Sequence, residues 1–279
     1  MKMRIYLTVF FAFVFSMMLL AQPEPHIGCH HFSKKDIPVP GFQLAPSGIV
    51  DTRSDSIDIL NYKIDIDITV PSFLSANTVV SASALVDNID EIVLDLLMLQ
   101  VDSVFVDGVP TTFIYDDFKC SIALPEIMMT GDDFDVQVYY QGNPVRDPSN
   151  FGGLVFEQGY IYNLGIGIAS NPHNFGRGWF PCFDNFMERS TYEYIVTHSS
   201  AYNAHCVGTE IDIINNGDGS ITTTYAMDQP ITTYQSSIAA SNYVELWSEH
   251  EGMEGTIPVK LICKPGDSTA MKSSFGNLG

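Results

Sequence analysis

The sequence predicts an all-β fold, built as a sandwich or as curved antiparallel sheets. Apolar residues recur at every second position in several runs, turn-forming clusters separate those runs, and no helical period is sustained before the last dozen residues. Tyr62, Ile64, Ile66 and Ile68 alternate with Lys63, Asp65, Asp67 and Thr69, so one set faces a core and the other faces water. Phe134, Val136, Val138 and Tyr140 repeat the pattern against Asp135, Gln137 and Tyr139.

The turns are equally explicit. Asp107-Gly108 follows Val104-Phe105-Val106 and predicts a tight hairpin. Asn215-Asn216-Gly217-Asp218-Gly219 divides Ile211–Ile214 from Ile221–Tyr225 in the same way. A last strand is expected over Ile257–Cys263, closed by Pro265-Gly266. Ser268–Phe275 then reads as the opening of a helix, with Ser268 or Thr269 as its cap. That opening has no apolar face of its own, and residues 268–279 are expected to begin a further domain.

Lys2 and Arg4 precede an apolar run, Ile5–Leu20, which ends at Ala21 before Gln22-Pro23-Glu24. This is the pattern of a signal peptide over residues 1–21, and it predicts an exported protein, secreted or periplasmic. The run is short for a membrane span of about 20 residues, so contact with the membrane is expected only through the signal peptide. Residues 22–53, with five prolines, read as an irregular leader.

A formal net charge of −20 gives a surface that repels phosphate backbones and excludes nucleic acid as a partner. The five cysteines form no Cys-x-x-Cys pair, which leaves a zinc ribbon or thioredoxin-like site unsupported, and most are expected to be buried.

Candidate chemistry is sparse. Gly-x-Ser-x-Gly and phosphate-cradling loops are absent. Cys29-His30-His31 lacks a fourth ligand at metal spacing. His250-Glu251-Gly252-Met253-Glu254 imitates a zinc-peptidase helix, but its fourth position is not histidine and its glycines predict a turn between strands. His173, His198 and His205 are isolated and read as structural. Most carboxylates alternate with apolar residues and so are expected to face water.

One stretch is more specific. Asn171-Pro-His-Asn-Phe-Gly-Arg-Gly-Trp-Phe-Pro-Cys-Phe-Asp184, continuing through Arg189–Thr197, resembles the aminopeptidase N family of zinc metallopeptidases. Further landmarks fall in the family's order: Ser54–Ile68 with Asp55 and Tyr62, Gln229-Pro-Ile-Thr-Thr-Tyr234 up to Tyr243, and Ile257–Asp267. The resemblance spans residues 54–267. It implies a saddle-shaped antiparallel β-sandwich, the non-catalytic N-terminal domain of a secreted zinc aminopeptidase, forming one wall of the substrate cleft. It also implies a thermolysin-like catalytic domain in cis that binds the zinc and acts on the N-termini of peptides.

Gly-x-Met-Glu-Asn and His-Glu-x-x-His do not occur here, so this stretch is expected to hold no zinc and to be inactive alone. Arg177, Trp179, Phe180, Pro181, Cys182, Phe183 and Asp184 are the motif residues, read as structural. The family's substrate-side Gln or Glu has no clear counterpart; Ser170 and Asn171 stand in that loop. Asp184-Asn185-Phe186 replaces the usual Asp-Glu-Pro turn. The competing reading is an exported, non-enzymatic β-sandwich that binds peptide, glycan or protein.

Overall fold

Strand alternation, read off above, sets the architecture of the computed structural model, which describes residues 51–253 and 255–275. The signal peptide, most of the leader, the Cys29-His30-His31 cluster and residues 276–279 lie outside the described residues.

Among the described residues the largest sheet has eight strands, in the order β13 (Thr209–Asn215), β14 (Ser220–Ile231), β11 (Ser190–Ser199), β1 (Ile57–Asp67), β2 (Leu74–Ala84), β8 (Asp133–Gly142), β4 (Gln100–Val106) and β5 (Val109–Pro110). Its pairs are antiparallel except for β1 and β11, which run parallel with Tyr62 beside Tyr192 and Ile64 beside Tyr194. A three-stranded sheet is formed by β3 (Ile89–Asp95), β7 (Lys119–Met128) and β6 (Phe113–Tyr115). A four-stranded sheet orders β12 (Asn203–Cys206), β15 (Ile238–Ser241), β10 (Tyr160–Leu164) and β9 (Gly153–Glu157). The last two strands, β16 (Val244–Gly252) and β17 (Gly255–Cys263), form a hairpin of their own, followed by helix α1 (Ser268–Phe275).

The expected inner faces are the core. Tyr62, Ile64, Ile66 and Ile68 are buried, as are Phe134, Val136, Val138 and Tyr140. They join Ile92 and Ile122 of the three-stranded sheet and Ile161 and Ile238 of the four-stranded sheet in one cluster. At the β4–β5 turn Asp107 and Gly108 both have positive φ (49° and 77°), the left-handed pair that a twisted two-residue hairpin requires. Cys120, Cys182 and Cys263 are buried free thiols, and Cys206 is half-buried and free. The helix begins at Ser268, whose hydroxyl donates to Pro265 O (3.0 Å) and caps no helical N–H.

Two imidazoles are built into this framework as neutral groups. His198 is buried, with Nδ1 3.0 Å from Ser199 O and Nε2 2.9 Å from Thr223 Oγ1. The carbonyl requires an N–H at Nδ1, so Nε2 accepts from the hydroxyl. His205, at the root of the β16–β17 hairpin, has its Nε2 buried without a hydrogen-bond partner, 3.9 Å from Glu245 Oε1. Burial pushes both below the usual histidine value of about 6.5; at His205 Lys260 adds to this while Glu245 and Glu210 oppose it.

A histidine that ionises less readily folded than unfolded contributes stability above the unfolded pKa and loses it as pH falls toward the folded pKa. The melting temperature is therefore expected to fall between pH 7 and pH 5. His198→Gln should flatten that slope, as read by thermal denaturation across pH.

Candidate functional site

The Trp179–Asp184 segment crosses the gap between the sheets, and each of its residues is fixed by a different contact. Trp179, Phe180, Cys182 and Phe183 are fully buried. Phe180 sits edge-on to Trp179 (4.6 Å between ring centroids) and to Tyr62 (5.4 Å), and Tyr62 stacks on Tyr192 (5.3 Å) and Tyr192 on Tyr194 (5.7 Å). This aromatic ladder joins the segment to β1 and β11, with edge and offset geometries favoured by the ring quadrupoles. Cys182 pairs through its backbone with Asp95 at the end of β3, and Phe183 N–H donates to Tyr62 Oη (3.0 Å).

Asp184 closes the segment on itself. Its buried carboxylate accepts from Arg177 Nη1 (2.7 Å), Thr233 Oγ1 (2.7 Å), and the backbone N–H of Gly176 (3.2 Å) and Arg177 (3.3 Å). Burial pushes the Asp184 carboxyl above its ordinary range, and the Arg177 guanidinium and Thr233 hydroxyl oppose that shift. Gly176 must be small here, since a Cβ would lie 3.0 Å from Thr233 Cβ and 3.1 Å from Asp184 Oδ1.

A second ionic group, not evident in the sequence, lies beside it. Asp95 Oδ2 accepts from Asp184 N–H (3.0 Å) and from Arg53 Nη2 (2.6 Å), and Lys119 Nζ is 3.3 Å from Oδ1. Arg53 also holds Asp51 and lies over the Phe183 ring at 4.7 Å. Burial pushes the Asp51 carboxyl up, but Arg53 and Asn185 outweigh it and hold it at about 2. The last residues of the expected leader are thus part of the domain. Asn185, at the departure from the family turn, reaches Asp51 Oδ2 (3.3 Å) and Ser54 Oγ (3.2 Å) and accepts from Glu188 N–H (2.7 Å).

The loop before the motif is organised by Asp147, also unpredicted. This buried carboxylate accepts from the N–H groups of Ser149 (3.0 Å), Ala169 (3.0 Å) and Ser170 (2.8 Å) and from the hydroxyls of Ser149 and Ser170. Burial raises its pKa, but these donors outweigh that and leave it below the ordinary range. Ser170 is therefore buried and committed to Asp147, whereas its neighbour Asn171 is half-buried. Pro181 is buried as well.

The remaining candidates do not converge. His250 and Glu251 are adjacent in β16, so their side chains leave opposite faces, and both are exposed; they lie in the strand, before its last pair, Gly252 with Gly255. Thr256 Oγ1 donates to Glu251 Oε1 at 3.2 Å. Among the described residues no group of three His, Cys, Asp or Glu side chains is placed to hold a metal ion. Among the described residues the zinc that the resemblance implies therefore finds no set of ligands.

Comparison with known proteins fits this arrangement. The chain matches the peptidase M1 N-terminal domain over residues 59–235. It is similar to an M1 zinc metallopeptidase of Deinococcus radiodurans bound to a Tyr-Ser-Ala substrate, with a TM-score of 0.67 and 23% identity over 76% of this chain and 48% of that one. A two-domain M1 zinc metallopeptidase bound to L-tryptophan gives a TM-score of 0.67 at 22% identity, over 76% and 49% of the two chains. Legionella pneumophila aminopeptidase A with aspartic acid gives 0.65 at 14% identity, over 77% and 25%. The chain thus spans about half the length of the first two structures, and at these identities the likeness is one of fold. No match was found among curated proteins. The family match covers more than half of the chain and takes in the whole aromatic and ionic segment, so the chain belongs to the peptidase M1 N-terminal domain family.

Proposed function

We propose that this chain is the non-catalytic front domain of an exported zinc aminopeptidase, forming one wall of the cleft that receives the N-terminus of a peptide. The observation that carries this reading is the family match across residues 59–235. The signal-peptide pattern of residues 1–21 supports export. Zinc and the groups that act with it belong, on this reading, to a thermolysin-like domain that follows in cis. Ser170 then serves to position the loop through Asp147, and Asn171 is its substrate-side residue.

The test is to read the coding sequence beyond Gly279 and to assay its full product. Gly-x-Met-Glu-Asn followed by His-Glu-x-x-His is expected, together with chelator-sensitive hydrolysis of aminoacyl anilides. Asn171→Ala in that product should raise KM more than it lowers kcat. A stop codon directly after Gly279, or a reading frame without His-Glu-x-x-His, would overturn the proposal.

A further inference from the structure

The β16–β17 hairpin is a two-stranded sheet of its own, and its root meets the four-stranded sheet through polar contacts. Asn203 Nδ2 donates to Tyr243 O (2.9 Å), and Lys264 Nζ donates to Gln158 O (2.8 Å) while lying over the Tyr160 ring (3.4 Å). Both are formed as they stand. A third is not: His205 Nε2 and Glu245 Oε1 face each other at 3.9 Å.

His205 lies in β12, beside Ala239 of β15, and its side chain is only 9% exposed. Its Nδ1 is 3.4 Å from Tyr225 Oη, whose own proton goes to Glu210 Oε2 (2.9 Å). Nδ1 therefore carries the N–H, and Nε2 is a bare acceptor. It is buried with no donor in reach, and the Glu245 carboxylate it faces is another acceptor. A proton on Nε2 turns that mismatch into an ion pair.

The titratable and charged groups around this ring are Glu245 and Lys260 of the hairpin, Glu210 of β13, Tyr225 of β14 and His198 of β11, with the Tyr243 ring 5.8 Å away. Burial, Lys260 and His198 disfavour the imidazolium, whereas Glu245 and Glu210 favour it. Glu245 also governs the exposed Trp247. Its Oε2 accepts from Trp247 Nε1 (2.9 Å) and its Oε1 from Lys260 Nζ (3.3 Å), and that ammonium lies 4.9 Å from the centre of the Trp247 ring. A shift of Glu245 toward His205 therefore loosens Lys260 and carries the indole with it.

We propose that His205 and Glu245 form a proton-operated latch at the root of the hairpin, open while the imidazole is neutral and closed by a charged hydrogen bond once Nε2 is protonated, with Trp247 following Glu245. Closing the latch does not stabilise the domain as a whole. The folded pKa of His205 is depressed, so stability is still lost as pH falls toward it. What changes is how the hairpin is held, and the change is carried to an exposed aromatic side chain. The latch is complete within the described residues, so it is tested without any peptidase activity.

The experiment follows the full chain by NMR from about pH 8 to about pH 5, the range in which histidine changes charge. The chain has two tryptophans, and Trp247→Phe identifies which indole N–H resonance belongs to Trp247. The His205 ring protons should titrate below the ordinary value of about 6.5, and the Trp247 indole should shift with the same midpoint. Glu245→Gln should lower the His205 midpoint and Lys260→Met should raise it, each by about half a pH unit, the scale of a partly exposed charge pair. His205→Gln should leave the indole unmoved over this range. An indole that titrates unchanged in His205→Gln would overturn the proposal. So would an imidazole that stays neutral until the domain unfolds in acid, one that titrates while the indole stays still, or one whose midpoint ignores both Glu245→Gln and Lys260→Met.

Discussion

Asp184→Ala is expected to destabilise the domain by about 3–5 kcal/mol, the usual cost of removing one partner from a buried ion pair. The substitution leaves the Arg177 guanidinium with no carboxylate, facing Pro172 O at 3.4 Å and the Phe175 ring at 5.6 Å, while its side chain remains largely buried. It also strands the Gly176 and Arg177 N–H groups and the Thr233 hydroxyl, each of which donates to Asp184. Asp184→Asn keeps the shape and one acceptor oxygen for Thr233, and should cost distinctly less. Urea denaturation followed by tryptophan fluorescence reads this directly, because Trp179 is buried in the same segment and the other tryptophan, Trp247, is exposed. Equal midpoints for wild type and Asp184→Ala would show that the carboxylate contributes nothing to the hold on Arg177.

Phe180→Ala is expected to cost a similar 3–5 kcal/mol, for a different reason: a cavity opens where the rings meet. Phe180 touches Trp179, Tyr62 and Tyr192 within centroid distances of 4.6–6.3 Å, so its removal unsupports three large side chains together. The Tyr62 hydroxyl that receives Phe183 N–H is also freed to shift. Phe180→Leu retains most of the volume and should cost about 1.5 kcal/mol or less. The check is the denaturation midpoint at unchanged slope, with Trp179 again as the reporter. A loss for Leu as large as that for Ala would mean that ring geometry, not volume, holds the segment.

How much of this could be read from the chain depends on the range of the interaction. β1 and β8 were legible because large apolar residues alternate with charged ones. β2 was not, although its inner row, Ala76, Thr78, Val80, Ala82 and Ala84, is buried just as regularly. Small side chains suffice there because Tyr62 and Tyr140 on its neighbours fill the space, and small residues carry little periodic signal.

The carboxylates divide in the same way. Those inside strands follow the alternation toward water, whereas Asp95, Asp147, Asp184 and Glu188 are buried at a strand end or in loops, where alternation has no say. Asp147 finds its partners at residues 149, 169 and 170, and Asp95 finds its own at 53, 119 and 184. No local pattern announces such pairings. The family motif was legible as a landmark, but its chemistry was visible only once Arg177, Thr233 and Asp184 stood within hydrogen-bond reach.

The parallel partnership of β1 with β11 has a consequence for how the chain is made. Residue 61 pairs with residue 191, so one side of the first strand stays uncovered until synthesis has passed Ser199. Closing so long a loop costs entropy before the pairing returns any contact, and topologies of this kind fold on millisecond-to-second scales. A nascent chain stalled before Ser190 would display the bare edge of β1, a ready template for the wrong neighbour. The seam inside the finished sheet waits until β2, β4, β5 and β8 have all been made, and only β13 and β14 are added after it.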